Sequence, residues 1–123
     1  MASVLYVDDE EAIRRAVVTW LTRRGHVVHA AGTVSSALRL LESIRVDGAF
    51  VDLWLGEESG FELQDWIDEH RPDLSANVVL VTGDPQSSEI ARRHDVLGQL
   101  GRPILAKPFD LSQLEDFVAR WTR

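Results

Sequence analysis

The chain has 123 residues, 45% hydrophobic and 27% charged, a single-domain length with enough apolar material to cover one sheet on both faces. Thirteen basic residues against 20 acidic ones leave a formal charge of -7, which disfavours direct nucleic-acid binding. There is no cysteine, which excludes a disulfide framework, thiol catalysis and a Cys-based zinc site. The longest apolar runs are far short of a membrane span and the N-terminus has no secretion-signal pattern, so a cytoplasmic chain off the membrane is expected.

Strand and helix patterns alternate from end to end, which argues for repeated βα units on a parallel sheet. A first strand over residues 3–7 ends in the acids Asp8, Asp9 and Glu10. A helix over residues 11–24 follows, with Ile13, Val17 and Leu21 on one face and Gly25 at its stop. Residues 27–30 form a short second strand, and Gly32-Thr33 opens a helix with Ala37, Leu40, Leu41 and Ile44 at helical spacing. The third strand, residues 49–52, ends in Asp52 and is followed by Leu53, Trp54, Leu55 and a Gly/Glu/Ser loop. Ser59 and Glu62 form a capping-box pattern for a helix with Leu63, Trp66, Ile67 and His70 that stops before Pro72. The fourth strand, residues 77–82, ends in Thr82. Asp84-Pro85 suits the start of a fourth helix, anchored only by Ile90, His94 and Leu97. After a loop over residues 98–103, the fifth strand, residues 104–106, ends in Lys107-Pro108. Asp110 then caps a last helix with Leu114, Phe117, Val118 and Trp121 inside. No repeat or linker interrupts the pattern, so residues 1–123 read as one domain with no effector domain. His26, His29, His70 and His94 lack metal-ligand spacing and read as solvated surface residues.

In an open parallel α/β sheet the strand C-termini share one edge, where ligands bind. That edge would gather Asp8, Asp9 and Asp52, the Thr82 hydroxyl and the Lys107 ammonium. Taken singly, each has an ordinary explanation: Asp52 as a turn residue, Thr82 as a strand end, Lys107 as a solvated charge. Glu10 reads as a helix N-terminal acid near the macrodipole rather than a ligand. Trp54 covers the sheet edge, and Glu57-Glu58 reads as solvated loop. The joint spacing speaks for a site. Carboxylates about 5 Å apart at an effective dielectric of about 20 repel by roughly 3 kcal/mol per pair, a penalty that a divalent cation removes.

The stretches LYVDDE, VDLWLG, LVTGD and ILAKPF, in that order, resemble the receiver domain of two-component response regulators, and the resemblance covers the whole chain. It implies a doubly wound five-stranded parallel sheet of order 2-1-3-4-5, the flavodoxin-like (βα)5 fold. It implies that Asp52 is the phosphoacceptor, taking a phosphoryl group from a histidine kinase or a phosphotransfer protein as an acyl phosphate that water can hydrolyse. Magnesium is the implied cofactor, with Asp9, Asp52 and the backbone carbonyl of Trp54 as direct ligands and Asp8 acting through water. Lys107 would contact Asp52 or the phosphoryl oxygens, and Lys107-Pro108 would be a cis peptide. Thr82 would bond a phosphoryl oxygen only when one is present, which makes the loop two-state. The resemblance makes the chain a signalling switch with weak self-phosphorylation and self-dephosphorylation. Its output would pass to a protein partner through the fourth helix, fifth strand and fifth helix. Trp54 and Asp84 occupy the variable positions flanking the phosphoryl path and would tune dephosphorylation.

One departure stands out. Three residues before Lys107 the family usually has an aromatic ring that turns inward on activation; here Ile104 stands, and it cannot make that swing. The alternative reading is a pseudo-receiver, an interaction module without phosphorylation, against which the intact Asp8, Asp9, Asp52, Thr82 and Lys107 set argues. An aspartate-nucleophile phosphatase would need D-x-D, which Asp52-Leu53-Trp54 lacks. A dinucleotide binder would need G-x-G-x-x-G after the first strand, where Asp8 and Asp9 would instead repel a pyrophosphate.

Overall fold

The computed structural model describes residues 1–84 and 102–122. β1 (Ser3–Val7) leads into α1 (Glu11–Arg23), β2 (Val27–Ala31), α2 (Val34–Ser43) and β3 (Gly48–Asp52). A short pair, β4 (Trp54–Leu55) and β5 (Glu58–Ser59), precedes α3 (Gly60–His70) and the single turn α4 (Pro72–Ser75). β6 (Val78–Thr82), β7 (Ile104–Ala106) and α5 (Leu111–Trp121) complete the described elements. The helix expected after Asp84-Pro85, with Ile90, His94 and Leu97, lies outside the described residues.

The main sheet is parallel and runs β2-β1-β3-β6-β7, the expected 2-1-3-4-5 order with β6 and β7 as its fourth and fifth strands. Its central strands are apolar almost throughout because both of their faces are covered. In β1, Leu5 and Val7 enter the core under α2 and α3, which supply Leu41, Leu63 and Ile67. Val4 and Tyr6 point the other way, into the core under α1 and α5 with Val17, Leu21, Leu114 and Val118. The same period of two splits Val51 from Phe50 in β3 and Leu80 from Val81 in β6. Each such large side chain contributes about 1.5–3 kcal/mol on burial, so both helical layers are held firmly on the sheet. Among the described residues, no helix is long and apolar enough to cross a membrane.

Three local expectations are revised. The stretch after Leu55 is not an open loop: β4 and β5 pair antiparallel, Trp54 with Ser59 and Leu55 with Glu58. Gly56 makes the intervening turn at φ 65°, a left-handed conformation that a side chain would strain. At the start of α3, only half of the capping pattern forms. Ser59 Oγ accepts from the Phe61 N–H at 3.2 Å, while the Ser59 backbone is committed to the pairing with Trp54. The full reciprocal box forms instead at Thr33, whose Oγ1 accepts from the Ser36 N–H at 3.1 Å while its own N–H donates to Ser36 Oγ at 3.2 Å. Finally, His26 is not solvated. Its Nδ1 accepts from the Ala2 N–H at 3.0 Å and its Nε2 lies 3.3 Å from Glu115 Oε1, so the ring ties the chain start to α5.

Candidate functional site: an acidic pocket at the strand edge

The parallel register sets the stage. Val7 aligns with Val51, Asp52 with Val81, and Thr82 with Ala106, so the ends of β1, β3, β6 and β7 lie side by side. Asp8, Asp52, Thr82 and Lys107 follow directly at that edge. Asp8, Asp52 and Thr82 are buried, a costly position for carboxylates unless they are paired.

The pairing comes from Lys107, the only lysine in the chain. Its Nζ donates to Asp52 Oδ2 at 2.7 Å, lies 3.0 Å from Asp8 Oδ2 and donates to Glu10 Oε1 at 3.2 Å. The peptide between Lys107 and Pro108 is cis, as expected, and the Lys107 N–H donates to the Thr82 carbonyl at 2.9 Å. The other oxygen of Asp52, Oδ1, accepts from the Trp54 N–H at 2.9 Å. Asp8 Oδ1 accepts from the Glu10 N–H at 3.0 Å, and its Oδ2 also accepts from the Tyr6 hydroxyl at 2.9 Å. Arg14 reaches back from α1 to donate to the Asp8 carbonyl at 2.8 Å. Thr82 Oγ1 accepts from the Asp84 N–H at 3.0 Å, which fastens the following loop and uses only the oxygen, so that among the described residues the hydroxyl hydrogen is free to donate elsewhere.

Burial pushes the Asp52 carboxyl above its usual range, against the pull of the Lys107 ammonium and the Trp54 N–H. Burial alone would depress Lys107, but hydrogen bonds and charge from Asp52 and Asp8 more than reverse it and hold the ammonium above its ordinary value. Burial, and then the Asp8 charge, raise the Tyr6 phenol, so Tyr6 stays a neutral donor.

The structure thus brings Asp8, Asp52 and Lys107 into direct contact. Asp9 is exposed beside them, and oxygens of Asp8, Asp9 and Glu10 lie within 4.8 Å of one another. Trp54 joins the site through its backbone N–H, with its side chain largely exposed. Glu10 is the N-cap residue of α1 and in addition a Lys107 partner. Tyr6 and Arg14 were not anticipated. The period of two places Tyr6 on the same side of the strand as Asp8, a signal available in the sequence. Arg14 gave no comparable signal. Gly60 is a further hidden requirement, since a Cβ there would sit 2.1 Å from the Asp52 carbonyl oxygen.

Comparison with known proteins places the fold and the family. The sequence profile of the response regulator receiver domain matches residues 4–119. The DNA-binding transcriptional regulator NtrC of Azospirillum brasilense is 32% identical over 97% of this chain, which spans 24% of that protein's length. Among solved structures, the CheY-like receiver domain protein of Methanospirillum hungatei JF-1 superposes with a TM-score of 0.84 at 25% identity, covering 98% of this chain and 92% of that one. A Burkholderia pseudomallei response regulator solved with a phosphorylated aspartic acid and a calcium ion superposes with a TM-score of 0.79 at 26% identity, covering 96% of this chain and 66% of that one. With a doubly wound sheet, a paired acid pocket at its C-terminal edge and a profile match over nearly its whole length, the chain belongs to the response regulator receiver domains of two-component systems.

Proposed function

We propose that Asp52 accepts a phosphoryl group from a phosphohistidine on a kinase or phosphotransfer protein, with Mg2+, and that the loaded site changes a protein-binding surface. The observation that carries this reading is Lys107 Nζ bridging the buried carboxylates of Asp52 and Asp8. A buried aspartate gripped on one oxygen by an ammonium and on the other by a backbone N–H is a nucleophile held in position rather than a turn residue. One Asp52 oxygen attacks phosphorus, the P–N bond breaks with its electrons passing to the imidazole, and an acyl phosphate results. Water later attacks the same phosphorus and restores the carboxylate.

The donor set fits a divalent cation of the hard, oxygen-seeking kind. One ammonium faces Asp8, Glu10 and Asp52, with Asp9 close by, so negative charge remains uncompensated. Asp8, Asp9, Asp52 and the Trp54 carbonyl would hold Mg2+, in keeping with its preference for few protein oxygens and several waters. When bound, the ion neutralises charge on the transferring phosphoryl group. Lys107 moves its charge from Asp52 to a phosphoryl oxygen, and Thr82 donates its free hydroxyl hydrogen to another. Through its bond to the Asp84 N–H, Thr82 carries that change into the Gly83-Asp84 loop. Ile104 packs against the α2–α3 side of the core, consistent with a route that needs no turning ring. A cytoplasmic setting and self-dephosphorylation belong to the same reading.

The test is intact-mass measurement with acetyl phosphate or phosphoramidate, with and without Mg2+. One labile phosphoryl group is expected on the wild type only with Mg2+, and none on Asp52→Asn. Equal labelling of Asp52→Asn would refute the assignment.

A further inference from the structure

Tyr6 is the only tyrosine in the chain, and nothing in the phosphoryl chemistry above calls for it. It is fully buried, with its ring tilted against Phe50 at 6.2 Å between centroids. A phenol in an apolar layer needs a partner for its hydroxyl, and Tyr6 finds it in Asp8 Oδ2 at 2.9 Å. We propose that Tyr6 is a positioning residue, whose hydroxyl holds the Asp8 carboxylate in place as a preformed part of the cation site. This rests on the Mg2+ reading above.

The argument lies in how Asp8 is held. Its Oδ1 is fixed by the Glu10 N–H, and Arg14 fixes its backbone carbonyl. Its Oδ2 has two partners, Tyr6 and Lys107. Lys107 is shared with Asp52 at 2.7 Å and Glu10 at 3.2 Å, and its charge is drawn toward the phosphoryl group once Asp52 is loaded. Tyr6 stands two residues upstream on the same strand face and is locked by its own packing, so it remains the constant partner. It is also neutral. A second cation here would cancel the charge that attracts a metal, whereas a hydroxyl orients the carboxylate and leaves its charge in place. Phenylalanine would fill the same space and leave Oδ2 to Lys107 alone.

The measurement is Mg2+ titration of the whole chain, followed by tryptophan fluorescence, for wild type, Tyr6→Phe, Asp8→Asn and the double variant. Outer-shell partners of metal ligands typically matter 10–100-fold, so Tyr6→Phe is expected to weaken Mg2+ binding roughly tenfold. In the Asp8→Asn background the same change should matter less than about twofold, because the residue acts through Asp8. An equal loss in both backgrounds would show a packing role only and overturn the inference. So would wild-type affinity in Tyr6→Phe. A wild type that binds no Mg2+ would instead bring down the metal reading itself, and this inference with it. Should Tyr6→Phe fold poorly, the wild-type sequence labelled with 3-fluorotyrosine gives one fluorine resonance, from Tyr6. That resonance should shift on Mg2+ addition, and a signal indifferent to Mg2+ would overturn the inference.

Discussion

Replacing Lys107 with methionine keeps most of the side-chain stem and removes the one ammonium in the pocket. The contacts set the size of the effect. The Lys107 side chain is 17% exposed and its partners Asp8 and Asp52 are 0% and 4% exposed, so these are buried pairs; Glu10, at 59%, adds little. Oxygens held 2.7 and 3.0 Å from one nitrogen lie less than about 6 Å apart. Their charges then repel by about 3 kcal/mol at an effective dielectric of roughly 20. Removing one partner of a buried pair costs about 3–5 kcal/mol, the same range. Lys107→Met at neutral pH without metal should therefore lose about 3–5 kcal/mol, seen as a melting temperature lower by roughly 10–20 °C. The assay is urea unfolding followed by tryptophan fluorescence, with EDTA or with Mg2+. Magnesium should stabilise the variant more than the wild type, since it would supply the missing positive charge. The deficit should shrink as the pH is lowered, since burial already raises the Asp52 carboxyl above its usual range and the lost ammonium no longer opposes its protonation. A loss below about 1 kcal/mol, the value of an exposed pair, would show that Lys107 does not hold these carboxylates and would refute the reasoning.

Two further outcomes follow from the geometry. Tyr6 and Lys107 both titrate above their ordinary values of 10.0 and 10.5 in the folded chain. Their stabilising contributions are whole below those values and are lost as pH rises through the folded ones, because the unfolded chain releases its protons first. Urea-determined stability should thus fall steadily above pH 10, and Tyr6→Phe should flatten part of the fall; an unchanged slope would remove Tyr6 from the account. Gly60→Ala would put a Cβ 2.1 Å from the Asp52 carbonyl oxygen. Overpacking of about 1–3 kcal/mol or more outweighs a helix-propensity gain of about 1 kcal/mol, so the variant should be less stable and slower to phosphorylate. Wild-type stability together with a wild-type rate would show that α3 can shift freely away from β3.

Read alone, the sequence carries the five strands of the main sheet, their parallel direction, the helices α1, α2, α3 and α5, and which residues reach the C-terminal edge; the β4–β5 pair and the single turn α4 are not legible in it. Those features follow from apolar periodicity and from the handed winding of βα units, and both are written locally. Asp8, Asp52, Thr82 and Lys107 were legible because each is the last residue of a strand or directly follows one. Contacts made at long range in the chain were settled only by the tertiary structure. Lys107 and Glu10 are 97 positions apart, and only strand register puts one ammonium among three carboxylates. His26 looked like a surface residue because nothing local announces Glu115, which arrives on another helix. Gly60, just after the Ser59 cap, carries no signal of its own in the sequence, yet it is required by the approach of the Asp52 backbone, a distance with no local trace. Tyr6 lies between the two cases. Its strand face could be read from the period of two, but the bond to Asp8 depends on the turn of the chain after Val7, which packing against the neighbouring strands decides.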